Sequence, residues 1–558
     1  MKRTLLIALI FTLALVSTLH GQANYADVLG VVSDTQHLAI AHAQLKITST
    51  ATGAVRTVTT NAQGEYEIGS LLPGAYLLDA ESKGFAVARR SLSLEVGQRV
   101  TLDMMLMVGA DNQTVVTVAG ADLLKTSDAS VGEVVDQRSV AQLPLNGRML
   151  VDLMLTVPGA HMSHGAQSGD MNPLYWRPGQ RSAISVGGNR PNANYFLLDG
   201  ATNTDPTFNT QNMSLSPDAV QEFQVQVGSY SADMGGAGGG QVNLVTRSGS
   251  KQFHATAYEF LRNGAMDAHS FNDMGGTNHL VQNNFGGSVG GPVLRKHTFF
   301  FLNYEALRHV QADTMTDTVP TADEIGGDFS MSGVTIYDPN TTVVNPNFNP
   351  KLPVSHSNPQ FSRQPFPDNM IPTDRFSPVA VKMLALYTPR PNLAMGMEGG
   401  STMMGQPTVV GSGNDSNNYL DARNEVHYTD QGTVRLDQQF GAKDSGFLRY
   451  SAGGEHGFMP ENLPGFGYQH DNLSQQGMGS YSHIFTPSLL NVATVAVSRL
   501  SMNHTTESAD KTDITGSLGI QGVGFGGPGA WVRRTSMCRA THPSATAMRL
   551  RRCMPGTL

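Results

Sequence analysis

Apolar and polar residues alternate with a period of two in several short runs early in the chain. Runs at 43–48, 65–68, 91–96 and 100–104 each place an apolar side chain at every second position. Such alternation gives a strand one buried face and one wet face. Turn-forming residues rich in glycine, asparagine and proline separate the runs. The pattern predicts about seven strands, arranged as a small β-sandwich over residues 24–110.

A second alternating region lies far along the chain. Val434, Leu436 and Phe440 alternate there with polar residues. One apolar and one polar face suit a membrane β-barrel, with lipid outside and a polar lumen inside, although a soluble sandwich would show the same alternation. The Pro/Asn/Gly-rich stretches 339–370 and 391–418 are then predicted to be loops on the outer side. The predicted fold class is mainly β, with antiparallel strands over residues 251–528.

The beginning of the chain has the three regions of a secretory signal peptide. Lys2 and Arg3 are basic, Leu5 to Val16 is mostly apolar, and the small-x-small pattern ends at Ala23. An uncleaved anchor helix is the alternative, but the apolar run is shorter than the roughly 20 residues that span a bilayer. The sequence therefore predicts export, with residues 1–23 removed after Ala23.

Between the two alternating regions, the residues indicate a linker and a compact α+β domain. Residues 111–120 are β-prone and are predicted to be a linker. The run from Thr114 to Val118 within it has two interpretations. It is either a strand that adds to the sheet edge of a partner or the last strand of the preceding domain. Residues 121–250 combine a proline-containing turn, a helical run ending at Val157 and buried strands, which predicts a separate domain.

Composition and charge exclude several classes of protein. The 558 residues include 37 Lys or Arg and 45 Asp or Glu, for a formal charge of -8. This balance argues against binding of nucleic acid by the whole chain. Cys538 and Cys553 are the two cysteines, so no disulfide framework or cysteine-based metal site is expected. No His-Glu-x-x-His motif occurs, and we predict no catalytic, cofactor-binding or metal-binding residues and no enzyme activity.

Residues 529–558 differ in character from the rest of the chain. They contain six arginines and no aspartate or glutamate, and strand-like alternation is not evident. We interpret this basic tail as the product of a frameshift near Gly527 to Ala530. A genuine basic tail that binds nucleic acid or a membrane surface is the alternative.

The N-terminal sandwich resembles the carboxypeptidase regulatory-like (transthyretin-like) domain. The resemblance is carried by Gly30 to Asp34, by Ala43 to Leu45, by Thr59 to Tyr66 and by Leu72 to Tyr76. It implies a module without catalytic residues. A periplasmic interaction or carbohydrate-binding module and a structural spacer are both open interpretations.

The domain that follows resembles the plug of Oar-like TonB-dependent outer-membrane receptors. The motif residues that carry the resemblance are Pro144, Asn146, Gly147, Arg148, Asp199, Gly200 and Glu222, together with the closing run Thr246 to Gly249. The resemblance implies a TonB box at Thr114, Val115, Val116, Thr117 and Val118. It also implies that residues 251–528 are the N-terminal part of a transmembrane antiparallel β-barrel. The location implied is the bacterial outer membrane, where the barrel contacts lipid, and the implied partner is TonB, which pulls on the plug.

The resulting prediction is a receptor that binds an extracellular ligand and imports it into the periplasm, without a cofactor. Plugged transporter barrels have 22 strands, whereas residues 251–528 hold roughly 10, so the sequence predicts a truncated copy. A surface binding or adhesion protein without transport is one alternative. A non-functional gene fragment is another.

Overall fold

The computed structural model describes most of the chain between Tyr25 and Ser544. The described residues are 25–109, 114–117, 131–143, 145–162, 184–206, 209–230, 235–268, 279–294, 297–392, 418–441, 443–461, 463–486, 489–509, 511, 513–520, 535–536 and 540–544. The predicted cleavage site at Ala23 lies outside them, as do Val118 and Pro144.

Two small sheets form the N-terminal domain. Its strands are β1 (Ala26–Asp34), β2 (Gln44–Ser49), β3 (Val55–Thr59), β4 (Glu65–Leu71), β5 (Gly74–Glu81), β6 (Val87–Leu94), β7 (Arg99–Thr101) and β8 (Met104–Leu106). One sheet has the order β4-β1-β7, with β8 also paired to β1, and the other contains β3-β2-β5-β6. Leu45, Ile47, Leu94 and Met104 are at most 1% exposed between them. The predicted β-sandwich is therefore confirmed, because the alternating apolar residues form its core.

A mixed α+β unit follows the sandwich. Its elements are β9 (Thr114–Thr117), β10 (Val131–Asp136), α1 (Gln137–Gln142), the 3-10 turns Asn146–Arg148 and Leu150–Thr156, β11 (Ala160–Met162), β12 (Ile184–Val186), the 3-10 turn Pro191–Ala193, β13 (Tyr195–Leu198), β14 (Ala201–Thr202), the 3-10 turn Pro217–Ala219, β15 (Val220–Gly228) and β16 (Gln241–Thr246). Its sheet has the order β10-β15-β16-β13-β14. Leu150, Leu153 and Met154 on the second turn are fully buried against this sheet.

Long antiparallel strands form a large meandering sheet. Its elements and the connections between them are β17 (His254–Asn263), the 3-10 turn Gly264–Met266, β18 (Leu280–Leu294), β19 (Thr298–Asp317), α2 (Ala322–Ile325), the 3-10 turn Pro339–Thr341, β20 (Val343–Val344), β21 (Phe361–Ser362), the 3-10 turns Pro367–Asn369 and Thr373–Arg375, α3 (Pro378–Tyr387), β22 (Tyr419–Gln439), β23 (Asp444–Met459), β24 (Tyr468–Thr486), β25 (Leu489–Thr506), α4 (Ile514–Leu518), β26 (Thr535–Ser536) and β27 (Ala540–Ser544). Strands β17, β18, β19, β22, β23, β24 and β25 pair in that order.

The two faces of the large sheet differ as the alternation predicts. On β22, Val434 and Leu436 are 51% and 40% exposed, whereas Thr433 and Arg435 are each 2% exposed. The polar side chains face the α+β unit, and the apolar ones face away from the protein. This is the arrangement of a membrane barrel, in which apolar residues meet lipid and polar ones meet the lumen.

The connections at the two ends of the large sheet differ in length. At one end, β18 joins β19, β22 joins β23, and β24 joins β25 through short turns. At the other end, the connection between β19 and β22 runs from residue 318 to residue 418 and contains α2 and α3. It includes the predicted loop 339–370, whereas residues 393–417 lie outside the described part. In membrane barrels the long loops are extracellular.

Two segments of the basic tail pair with the large sheet. Strands β26 and β27 both lie antiparallel to β25, with Ala540 opposite Leu500 and Ser544 opposite Ala496. The sequence showed no strand pattern here, because its period-2 alternation is absent. The frameshift remains a prediction.

Candidate functional site: the interface between plug and barrel wall

Arg148, the last residue of the run Leu-Pro-Leu-Asn-Gly-Arg at 143–148, joins the α+β unit to the large sheet. Its Nε donates to Oε2 of Glu305 on β19 at 2.9 Å, and its Nη2 donates to Oδ2 of Asp218. The guanidinium also lies 4.4 Å from the ring centre of Tyr258 and 4.8 Å from that of Phe260, both on β17. One arginine of the motif therefore contacts two strands of the wall through charge and aromatic faces.

The local backbone places Arg148 at this point. Gly147 and Arg148 both have positive φ angles, 66° and 58°. The first suits glycine, and the second costs a non-glycine residue about 1 kcal/mol or more. Burial by itself lowers the pKa of Arg148, but the charge and hydrogen bond of Glu305 outweigh it, so the pKa is raised above its ordinary value. The guanidinium is therefore fixed as a cation.

Glu305 is the shared acceptor of this cluster. Its Oε2 accepts hydrogen bonds from Ser216 Oγ at 3.0 Å and Tyr258 Oη at 2.6 Å, and its Oε1 accepts from Gln431 Nε2 at 3.1 Å. Its side chain is 5% exposed. A carboxylate at this depth requires several donors, which here come from both the plug and the wall.

Asp199 forms a second and more deeply buried link. It has a φ of 49° in the turn between β13 and β14, followed by Gly200 at 75°. Its two carboxylate oxygens accept from Thr246 N and Thr246 Oγ1, both at 2.8 Å. Oδ2 also lies 2.7 Å from Arg449 Nε, and Oδ1 lies 3.5 Å from Arg435 Nη1. The motif aspartate thus pairs with two arginines of the wall.

The charges of this second cluster balance. Arg435 also pairs with Asp437 at 2.9 Å, so two guanidinium groups face two carboxylates. Arg435 donates to the carbonyl and hydroxyl oxygens of Thr246 and lies 4.1 Å from the ring centre of Phe447. Buried ion pairs with this many hydrogen bonds define position more than they add net stability.

Glu222 has a different role, because it contacts the sandwich. Its Oε2 accepts from the backbone N–H of Val96 at 2.7 Å, and Gln224 Nε2 donates to the Val96 carbonyl at 3.3 Å. The sandwich also reaches the wall directly, where Tyr25 Oη lies 3.1 Å from Ser480 Oγ. The three units are therefore joined by specific polar contacts.

The predicted TonB box is only partly described. Thr114 to Thr117 form β9, which pairs in parallel with β6 of the sandwich. This pairing matches the interpretation in which the segment is the last strand of the preceding domain. The backbone of Asn146 lies in the motif turn.

Sequence reasoning found one side of each link and missed the other. Asp218 and Arg449 belong to no motif in the sequence. Glu305 lies in the run 299–305, which resembles a barrel strand of the family, and Arg435 and Asp437 are among the polar residues that alternate with Val434 and Leu436. The usable signal was the presence of charged residues at lumen-facing positions of a predicted strand. Gly286 to Gly290 match a Gly-x-Ser-x-Gly pattern, but they lie inside β18 and lack the strand-to-helix turn of a nucleophile elbow.

The part of the chain that the structure describes contains no cluster of three or more His, Cys, Asp or Glu side chains arranged to hold a metal ion. Within the same residues, no helix has the length and apolar character needed to cross a membrane.

Comparisons with known proteins agree with this architecture. The outer membrane beta barrel domain family matches residues 245–543, and the carboxypeptidase regulatory-like domain family matches residues 27–107. The TonB-dependent transporter Oar of Myxococcus xanthus is 28% identical over 302 residues. That alignment covers 51% of this chain and 27% of Oar, so the chain corresponds to about a quarter of this relative's length.

Two solved structures are similar to part of this chain. The outer membrane transporter YddB from Escherichia coli gives a TM-score of 0.39 at 12% identity, over 68% of this chain and 40% of that one. A mutant of the ferric enterobactin receptor PfeA from Pseudomonas aeruginosa gives 0.30 at 10% identity, over 67% and 46%. From the family match over residues 245–543 and the Oar alignment, the chain belongs to the outer membrane β-barrel family and is an Oar-like homologue of TonB-dependent transporters, located in the bacterial outer membrane.

Proposed function

We propose that this protein is a TonB-dependent receptor that binds an extracellular ligand and imports it into the periplasm. The observation that carries the proposal is the attachment of the plug to the wall by Arg148 and Asp199. Both links are noncovalent, and both are made of charged groups whose attraction is offset by the cost of burying them. Such links hold a plug in one place while leaving it free to be moved.

The side of the plug that faces the long connections supports ligand binding. A polar cavity there lies between plug and wall, and its lining includes Arg148, Ser214, Glu305, His427 and Glu455. Ligand sites commonly combine a concave shape with a few convergent polar groups. A ligand in this cavity would contact Arg148 and Glu305, the residues that fasten the plug.

On this proposal, TonB engages the segment Thr114 to Val118 and pulls the plug by using the proton gradient of the inner membrane. The proposed import requires this coupling, whereas adhesion does not. Deleting residues 114–118 from the full chain therefore separates the two functions.

The test compares cells that produce the unaltered chain with cells that produce the deletion, on a panel of siderophores, oligosaccharides and peptides as limiting nutrients. We expect the unaltered chain to support growth on one class, and the deletion to abolish that growth at the same surface level of protein. Surface binding of the nutrient without any difference in growth would contradict import and favour adhesion. Matched surface levels are verified by labelling intact cells.

A further inference from the structure

The sandwich contacts the plug and the point at which the chain passes from the plug into the wall. The Val96 N–H donates to Oε2 of Glu222 on β15 at 2.7 Å. The Lys251 N–H, between β16 and β17, donates to the Ala51 carbonyl at 3.0 Å. Gly53, in the turn between β2 and β3, has a φ of 71°, and a Cβ there would lie 2.1 Å from Cε of Lys251. The sandwich therefore fits closely against both neighbours.

A second set of contacts joins the sandwich to β24 of the wall. Tyr25 Oη lies 3.1 Å from Ser480 Oγ, and Ser70 Oγ lies 3.4 Å from Ser482 Oγ. Ser70 and Ser482 are each buried, so their hydroxyls meet inside the protein. Both wall serines lie near the end of β24 that leads into a short turn, opposite the long connections. The sandwich is therefore at the periplasmic end of the wall, toward which an imported ligand has to leave.

The junction of the three units is polar and incompletely filled. The described apolar core of the sandwich consists of sandwich residues, and that of the plug consists of plug residues. Two cavities of about 270 and 130 Å³ lie in the junction, and residues 72–75 of the sandwich line both of them. Polar interfaces between domains permit relative motion, because separation of the domains exposes little apolar surface. The sandwich can therefore leave its neighbours without disrupting either core.

We propose that the sandwich is a periplasmic cover, which undocks from the plug and the wall as a rigid body during import. In the docked state it holds β15 through Glu222 and occupies the space below the plug. Undocking breaks the hydrogen bonds of the junction and leaves both apolar cores intact. This inference rests on the proposed import and adds a step to it, because the cover has to open before a ligand can leave. The docked sandwich is then the inhibited state of the transporter.

The experiment locks the sandwich to the wall with a disulfide in the full chain. Cys538 and Cys553 are first replaced by serine, which leaves no native thiol. Ser70→Cys and Ser482→Cys then place two thiols where the native hydroxyl oxygens are 3.4 Å apart. Each variant is studied in the oxidised and the reduced state, so the same polypeptide serves as its own unlocked reference. Cross-linking yield is measured by mass spectrometry.

A matched control disulfide lies within the sandwich. Lys46 and Thr57 are opposite residues of β2 and β3. Cα atoms of opposite residues in antiparallel strands are about 4.5 to 5.5 Å apart, a separation that a disulfide spans. Lys46→Cys with Thr57→Cys therefore adds a cross-link that does not connect the sandwich to the plug or the wall.

Hydrogen exchange in the purified protein measures undocking without any ligand. The amides of Val96 and Lys251 both donate across the junction, at separate places, so undocking of a rigid body exposes them together. We expect oxidation of the 70–482 pair to slow the exchange of both amides by more than about tenfold, and the 46–57 disulfide to change neither. Unchanged exchange of the two amides in the oxidised 70–482 chain would overturn the cover. Failure of this pair to cross-link would contradict the docked position itself.

The second readout is growth on the nutrient identified by the panel described under the proposed function. Cells with the oxidised 70–482 chain should bind this nutrient at the surface without growing on it, and reduction should restore growth. Equal growth in the oxidised and reduced states would overturn the cover. If the unaltered chain supports growth on no nutrient of the panel, the proposed import is contradicted, whereas the hydrogen exchange of Val96 and Lys251 tests the opening of the sandwich independently.

Discussion

At the scale of single residues, Arg148 is a motif residue whose side chain attaches the plug to the wall. Its side chain is 11% exposed and pairs with carboxylates on both the plug and the wall. Removing one partner of such a buried pair leaves the other charge without compensation. A substitution of Arg148 should therefore lower stability more than a substitution that removes an exposed ion pair elsewhere in the chain.

We expect Arg148→Ala to destabilise the seated plug by about 3 kcal/mol, because Glu305 loses a cationic donor while remaining buried. The measurement is protection of the plug from protease across a urea series, in outer-membrane fractions. The matched control is Arg99→Ala, which removes an ion pair to Glu67 whose side chains are 55% and 51% exposed. The control should cost less than about 1 kcal/mol. Similar losses for the two variants would contradict the assigned role of Arg148.

At the scale of elements, the short helix α1 shows how a terminal residue connects stability to pH. Asp136 is its N-cap and accepts from the backbone N–H of Ser139 at 2.8 Å. Hydrogen bonds from the side chain and backbone of Ser139 lower the pKa of Asp136 below its ordinary value. A carboxylate with a lowered pKa stabilises the fold above the pKa of the unfolded chain. That contribution is lost as the pH falls through the folded pKa.

We expect Asp136→Ala to lower the free energy of unfolding by about 1 kcal/mol at neutral pH, because the helix loses its cap. The difference between the variant and the unaltered chain should shrink in acid, because the Asp136 carboxyl of the unaltered chain is then protonated. Asp136→Asn is the control, since asparagine caps comparably without titrating. Unfolding of the plug is followed between about pH 3 and 7, a range that contains the ordinary aspartate pKa. An Asn variant with the same pH dependence as the unaltered chain would show that Asp136 is not responsible for it.

At the scale of the whole molecule, Glu222 of the plug links the plug to the sandwich through the backbone of Val96. Glu222→Ala leaves the Val96 N–H without this acceptor, which should cost about 1 to 3 kcal/mol and loosen the sandwich from the plug. Glu222→Gln retains a carbonyl oxygen in the same place and should restore the contact. Hydrogen exchange of the Val96 amide reports on the bond directly. Equal exchange in the Ala variant and the unaltered chain would contradict the docking of the sandwich on Glu222.

The strand faces could be predicted from the sequence alone because their determinant is local. A period of two in polarity assigns each side chain to one face of its strand, regardless of which elements pack against that face. Leu45 and Ile47 are buried in the sandwich, and Val434 and Leu436 point outward from the wall, as the alternation requires. The sequence also predicted an α+β domain between the two alternating regions, and the described residues there form a mixed α+β unit.

The partners of those residues were decided only by the tertiary structure. Arg148 and Glu305 are 157 positions apart, and neither the spacing nor the residue types relate them. Asp199 meets Arg449 because the turn between β13 and β14 lies against the wall. Strand β9 pairs with β6 through backbone contacts that no side-chain pattern encodes. Alternation fixes which way a side chain points, whereas the identity of what it meets depends on strand order, register and the packing of one unit inside another.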